Sequence, residues 1–547
     1  MLSMPLSRKK KTISFDFIHN LRGHRFPNRK RSGIGSYTRK VTLAVLSGVM
    51  LTASFPPGRL SLFAWLALVP LLKSIENESP LKALKLGYIA GLSHYLSLIY
   101  WIVVVVGRYG GLNPFVSFSV FVLLCLYLAL YPAFFSCLSV LIKGSRFRIL
   151  FISALWISLE YLRAMLLTGF PWCLLGYSQY ENLHIIQVAD LFGVYGISFL
   201  IVTVNVFLYD LLFQRRNWGI SIVIYEMVFA GLLTAATLIY GHCELSKRQS
   251  ENDTDKNIAA VIVQGNIDQS VKWDPAYQAG TVATYKRLTL KAIHDFRPDL
   301  VVWPETSLPF FIQNNRDFSQ DLHSLAVKSG SSFIVGSPAY KRINGRKNYF
   351  NRAYLISPDE YSFKYYDKVH LVPFGEYVPY KDILFFVDRL VPAAGDFQPG
   401  KKDMSPLRHN DLSLGILICF EAIFPDMARS YSRKGADMLI NLTNDAWFGK
   451  TSAPYQHLSM AVLRAVENRM PLIRAANTGF SAFISPHGEI IERSALFREE
   501  VLKAGVKIVP AQITWYARTG DVFAVAFLVI SLLKIILAIR QKQKTKG

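Results

Sequence analysis

Eight apolar runs decide most of what this 547-residue chain can become. They fall at 41–55, 60–72, 86–106, 115–142, 149–167, 197–213, 220–240 and 522–539. A helix that crosses a bilayer needs roughly 20 apolar residues, which most of these runs supply and the first two reach only by recruiting their flanks. A chain of this length with 51% hydrophobic residues is also too long and too apolar for one soluble domain. The connecting loops then set orientation. Basic residues collect before Val41, around Lys73, Lys82 and Lys85, at Lys143, Arg146 and Arg148, at Arg215 and Arg216, and at Arg540, Lys542, Lys544 and Lys546. These are alternate loops, as the positive-inside rule asks of the cytoplasmic side. The pattern predicts about eight transmembrane helices, both termini inside, and everything between the seventh and eighth helix outside.

Net charge is +23, which in a soluble chain would suggest nucleic acid. Here eleven Lys and Arg precede Val41 with only Asp16 against them, so the excess reads as a cytoplasmic anchor, basic and disordered. No nucleic-acid partner is expected. The predicted order is a basic tail at 1–40, helices one to seven within 41–243, a polar linker at 244–257, a domain at 258–512, an eighth helix at 521–540 and a basic end at 541–547. In the membrane block His94, Glu160, Arg163 and Glu226 stand out, because ionisable groups there face a bundle interior or water. Each has a packing role as its plain alternative. The aromatic loop 169–180 is read either as the floor of a lipid-facing site or as an interfacial anchor.

From Ile258 to about Pro510, β-rich runs at 300–303, 332–335, 353–356, 412–418, 438–442 and 481–484 alternate with amphipathic stretches at 281–296, 317–329 and 456–468. About 250 residues in this pattern make one α/β domain. The run Leu412-Ser413-Leu414-Gly415-Ile416-Leu417-Ile418 reads as a buried strand, and Cys419 stands at its end. The plain reading of such a thiol is an inert core residue. Two other segments argue against it. Leu300-Val301-Val302-Trp303-Pro304-Glu305 closes an apolar strand on a carboxylate, and Asp367-Lys368-Val369-His370-Leu371-Val372-Pro373-Phe374-Gly375-Glu376 sets a lysine among apolar and aromatic neighbours. The other cysteines, Cys125, Cys137, Cys173 and Cys243, lie in or beside the membrane block, leaving Cys419 alone in the outer domain. There is no zinc-ligand spacing and no phosphate loop, so neither a metal nor another cofactor is expected.

The order Glu305, Lys368, Cys419 resembles the Glu-Lys-Cys triad of the nitrilase (carbon-nitrogen hydrolase) superfamily. Trp-Pro-Glu, Asp-Lys-Val-His-Leu-Val-Pro-Phe-Gly-Glu and Ile-Cys-Phe-Glu resemble more closely the apolipoprotein N-acyltransferase family. The resemblance implies a nitrilase-like αββα sandwich tethered to a multi-pass helical domain in a bacterial inner membrane. It implies transfer of an acyl chain from a phospholipid, through a thioester, to the α-amine of a diacylglyceryl-modified apolipoprotein. Cys419 would be the nucleophile, Glu305 the base and Lys368 the oxyanion's cation. It also places Glu376 and Glu421 beside the triad, as catalytic or orienting groups. Trp273, Phe420 and Trp447 are candidates to line an acyl channel, with plain core packing as the alternative. Three other readings stay open: a Cys-His hydrolase using His370 or His457, an anchored amidase, and a transporter or receptor whose triad is idle.

Overall fold

The computed structural model describes residues 33–58, 60–142, 147–214, 220–249, 256–377, 397–508 and 513–544. Residues 1–32 and 545–547 of the basic ends, and 250–255 of the expected linker, lie outside the described residues. Two boundaries differ from expectation. Residues 33–40 begin the helix Gly33–Ala53, and residues 244–249 continue the helix Ile220–Gln249.

Among the described residues five helices are long and apolar enough to cross a membrane, or six if one bent pair is a single span. The expected count of eight is therefore not reproduced, and the reasons are local. The run at 60–72 folds as the 3-10 turn Ser61–Trp65 and the short helix Leu68–Ser74. That piece spans about 21 Å at 1.5 Å per residue, short of a hydrocarbon core of about 30 Å. Helix Gly33–Ala53 does not begin its apolar run until Val41, after Ser36, Tyr37, Thr38, Arg39 and Lys40. The run at 86–106 is broken: helix Pro80–Leu98 ends at Ile99, and the chain resumes as Ile102–Tyr109 after a bend of 53°. Small residues let the bundle close. A Cβ on Gly87 would sit 2.4 Å from the Pro132 carbonyl oxygen, and one on Gly91 2.8 Å from Ala129 Cα, so helix Pro80–Leu98 packs directly on the segment Leu130–Leu141 and its lead-in.

Among the described residues the second domain has twelve strands in two six-stranded sheets. One contains β1 (Asn257–Gln264), β2 (Leu300–Val302), β3 (Ser332–Ile343), β4 (Arg346–Ile356), β5 (Lys364–Asp367) and β12 (Glu500–Lys507), in the order β12-β1-β2-β3-β4-β5. The other contains β6 (Leu407–His409), β7 (Leu412–Ile418), β8 (Met438–Thr443), β9 (Leu472–Ala476), β10 (Ala482–Ile484) and β11 (Ile490–Arg493), in the order β11-β10-β9-β8-β7-β6. Each sheet has three parallel central strands, β1-β2-β3 and β7-β8-β9, with antiparallel strands outside them.

Alternation along β1 shows the layers. Ile258, Ala260 and Ile262 join the core that includes Ile416 and Ile440 of the second sheet. Val261 and Val263 join another core with Tyr285 and Leu288 of helix Pro275–Asp295 and Leu322 and Ala326 of helix Arg316–Ser329. Helices Pro425–Arg433 and Ala453–Asn468 cover the outer face of the second sheet. The result is the expected αββα stack. Helix Ala453–Asn468 is buried along its length except at Tyr455, because its far side rests on membrane helix Ala189–Tyr209. Arg464 donates to Tyr177 OH at 2.8 Å, and the Val194 N–H donates to Glu467 at 3.3 Å across that contact.

Candidate active site

Three strand ends supply the predicted triad. Parallel strands carry their sites at their carboxyl ends, and β2 and β7 each run out there into a residue of interest. Glu305 follows β2 through Trp303 and Pro304, and Cys419 directly follows β7. Lys368 follows the edge strand β5. Cys419 has φ of 54° and opens a 3-10 turn, Cys419–Ile423, so strand and turn meet at a strained elbow that projects the thiol. Thr306, next to Glu305, has φ of 47°. Gly336 of β3 permits that second corner, since a Cβ there would lie 2.5 Å from Thr306 N.

Lys368 is buried and held by carboxylates, with Nζ 2.9 Å from Glu376 Oε2 and 3.7 Å from Glu305 Oε1. Asn351 on β4 donates to Glu305 Oε1 at 2.7 Å and to Glu376 Oε1 at 3.0 Å, fixing both acids. Burial by itself would lower the lysine's pKa; Glu376, Glu305 and Cys419 reverse that, so Lys368 is a permanent cation. Burial raises Glu305, more than Lys368 and Asn351 lower it. Burial, then the Glu305 charge, also pushes the Cys419 thiol up. The resting pair is therefore a thiol beside a carboxyl group that gives up its proton reluctantly.

Glu376 and Glu421 were expected near the triad, and both are there with distinct tasks. Glu376 accepts from Lys368 and from the Val372 N–H at 2.8 Å. Glu421 makes no described hydrogen bond to the Lys368 ammonium and is taken up by three backbone N–H groups and one hydroxyl. It accepts from Ile418 N at 2.7 Å, Val369 N at 2.7 Å, His370 N at 3.0 Å and Tyr366 OH at 2.9 Å. One carboxylate thus ties the residue before the cysteine to the two residues after the lysine. That explains an acid two positions beyond Cys419.

The histidines do not form a Cys-His pair. His370 stacks on Phe424 with ring centroids 3.8 Å apart. His457 places Nε2 3.2 Å from the carbonyl oxygen of Cys419 and makes no described hydrogen bond to its sulfur. The Cys419 carbonyl oxygen can only accept, so Nε2 carries a proton and donates to it, while Nδ1 lies 3.1 Å from Arg474 Nη2. Burial and Arg474 both lower the His457 pKa and keep the ring neutral. Asp445 Oδ1, also 3.1 Å from Nδ1, accepts from Thr443 at 2.9 Å, while its Oδ2 accepts from Arg474 at 2.8 Å. Burial works against the Asp445 charge, but Arg474, His457 and the Thr443 hydroxyl together outweigh it and bring the acid to about 2.

The aromatic candidates divide. Phe420 lies beside the triad, its ring 5.1 Å from Phe424 and 5.9 Å from His370. Trp447 meets Tyr109 of the bent membrane helix at 5.9 Å. Trp273 is 45% exposed on the rim, next to the buried Lys272. Loop 169–180 is neither a bare interfacial anchor nor an open floor: residues 171–180 are buried. Trp172 and Trp101 both donate to Gln456 Oε1, at 2.7 and 3.1 Å, and Phe448 packs on both rings. The membrane helices thus press on the helix that carries His457. Lys272, Asn351 and Asp445 were not found from the sequence, since each acts through a contact distant along the chain.

Residues 47–207 match the family described as Apolipoprotein N-acyltransferase N-terminal domain, and residues 259–512 match Carbon-nitrogen hydrolase. An apolipoprotein N-acyltransferase of Geobacter metallireducens is 43% identical over 92% of this chain and 96% of its own length. Relatives with the same name from Methylococcus capsulatus and Pasteurella multocida are 34% and 32% identical, each over 88% of this chain, covering 93% and 91% of their lengths. The chain belongs to the apolipoprotein N-acyltransferase family. As a member of that family it joins a helical membrane domain to a nitrilase-like domain, and the strained cysteine, buried lysine and buried glutamate lie in the latter.

Proposed function

We propose that Cys419 takes an acyl chain from a membrane phospholipid and passes it to the α-amine of a diacylglyceryl-cysteine at an apolipoprotein's N-terminus. The observation that supports this most is the shared anchoring of Cys419 and Lys368 by Glu421, with Glu305 3.7 Å from the lysine, in a domain seated on membrane helices. Glu305 takes the thiol proton, and the thiolate attacks the ester carbonyl. Lys368 stabilises the oxyanion. As the C–O bond breaks, Glu305 returns the proton to the leaving alkoxide, releasing lysophospholipid and leaving a thioester. In the second half the amine attacks, Glu305 removes its proton, the C–S bond breaks, and the proton goes back to the thiolate. Both substrates are bilayer-anchored, which accounts for a site held between a soluble-type sandwich and a helical bundle. The arrangement of charges supports an outward-facing catalytic domain in the inner membrane. Its contacts fall at segments 98–109 and 169–194, while Lys40, Lys73 and Arg148 pair with Glu78, Glu76 and Asp210 at the other helix ends.

Purified full-length protein given acyl-labelled phospholipid alone should release about one equivalent of lysophospholipid and hold a thioester at Cys419, read by mass spectrometry. A diacylglyceryl-cysteine peptide with a free amine should discharge it with ping-pong kinetics, and N-acetylation of the peptide should stop discharge. Continuous fatty-acid release without peptide would mean a hydrolase, and rapid turnover of a soluble amide would mean an amidase.

A further inference from the structure

A second lysine lies at the reaction centre and has no part in the triad. Lys272 sits in the turn before helix Pro275–Asp295, and its side chain is wholly buried. Its ammonium crosses to Glu305 and donates to the backbone carbonyl oxygen at 3.2 Å. Among the described residues this is its only hydrogen bond, and no carboxylate lies within ion-pair distance. A buried ammonium without an ion-pair partner is costly, so a merely structural tie would be better made by a neutral donor. The turn is already held by other bonds, since Asn444 donates to Gln269 at 2.7 Å and Asn477 donates to the Ile267 carbonyl at 2.8 Å.

The charged groups around Lys272 show what it can influence. Glu305 and Cys419 act on it directly; Lys368 and Glu376 flank Glu305 on the far side, and Asp445 acts on Cys419. Lys368 is matched by Glu376, so its charge is largely committed. Lys368 and the Asn351 amide favour a negative Glu305 most, and Lys272 adds a second cation whose charge is not committed to another carboxylate.

We propose that Lys272 is a positioning residue of the acyl transfer: it fixes the Glu305 corner through the backbone and adds, beside Lys368, a second positive charge that helps Glu305 become an anion before each proton transfer. Burial brings the lysine down to about 7, partly opposed by Glu305 and Cys419, so on the acid side of that value it keeps its proton throughout, and the only proton that moves is the one Glu305 takes from the thiol or the amine and returns.

The inference rests on the roles proposed above for Glu305 and Cys419, and its test separates the two. The pH dependence of the lysophospholipid burst is measured with acyl-labelled phosphatidylethanolamine for the full-length wild type and for K272Q, K272M, K272R, E305Q and C419A. Loss of the Lys272 charge should move the acid limb up by about one pH unit, which is about a tenfold slower burst on that limb, with the plateau regained at higher pH. K272R keeps the charge and should keep the wild-type limb even if its plateau is lower. A uniform fall in rate with an unmoved limb in K272Q and K272M would show a purely structural lysine and overturn the inference. If one neutral variant fails to fold, the other against K272R decides; failure of both to fold while K272R folds would equally overturn it, since the lysine would then be holding the fold. A burst in C419A, or an unchanged limb in E305Q, would instead overturn the reading on which the inference stands.

Discussion

The single residue that most tightly constrains the reaction centre is Glu421, whose carboxylate accepts four hydrogen bonds from the loops carrying Lys368 and Cys419. Burial raises it to about 7 against those donors. Glu421→Gln keeps the shape but turns an amide N–H₂ toward donors. At least one buried donor is then unpaired, and about 1–3 kcal/mol of stability should be lost. A lower thermal midpoint in detergent, together with a slower burst, is the expected result. The triad itself should behave as a unit. Cys419→Ala abolishes the acyl-enzyme, Glu305→Gln and Lys368→Ala each lose most turnover, and the double variants lose little more than the worse single one. The pH profile follows from the raised Glu305. Its protonated form cannot accept the thiol proton, so acylation should rise with pH from above the ordinary carboxyl value of 4.5 rather than saturate there. A burst rate flat from pH 5 to 8 would contradict that assignment. These three residues were legible because each ends or follows an apolar run that gave it no surface role. Lys272 and Asn351 were not, because a lysine before a tryptophan and an asparagine within a strand carry no local mark of the partner they meet in space.

At the level of elements, the membrane runs and most strands could be read from periodicity, while breaks and hairpins could not. The break at 99–101 lies inside an unbroken apolar run, and only packing shows it: Trp101 turns out of the membrane helix to reach Gln456. The long β3–β4 hairpin was seen only as its apolar halves. Its outer half is basic and exposed, although Asn344-Gly345, with φ of 50° and 76°, is a strong turn signal between the two strands. Gln456 joins the two domains, accepting from both indoles and donating to the Leu98 carbonyl at 3.2 Å. Gln456→Leu would leave those two indole N–H groups without their acceptor, costing about 1–3 kcal/mol each at most. The measurable outcome is a fall in thermal midpoint. Because His457 is the next residue of the same helix and holds the Cys419 carbonyl, the burst should slow as well. An unchanged midpoint and burst would mean that the two domains do not depend on this contact.

For the whole molecule, the expectation from alternating basic loops is that both termini are cytoplasmic and the catalytic domain is outside. Protease added to the outer face of spheroplasts should digest the catalytic domain and spare a tag at either terminus; digestion confined to inverted vesicles would reverse the topology. The helical count was only partly legible in the sequence. Charge is decided loop by loop, whereas a span depends on whether its polar flanks join the helix, and 33–53 and 60–74 fall on that margin.

Helix Ala453–Asn468 has the catalytic sheet on one side and a membrane helix on the other. Its residues therefore answer to two neighbours at once, and a change that suits the sheet can spoil the fit to the bundle. Two relatives that have drifted apart will have settled this double fit differently. A hybrid taking its bundle from one and its sandwich from the other inherits half of each settlement, and should regain activity when the helix is exchanged together with segment 169–194. The seam along which this enzyme can be recombined lies within its catalytic domain, away from the connecting segment between its halves.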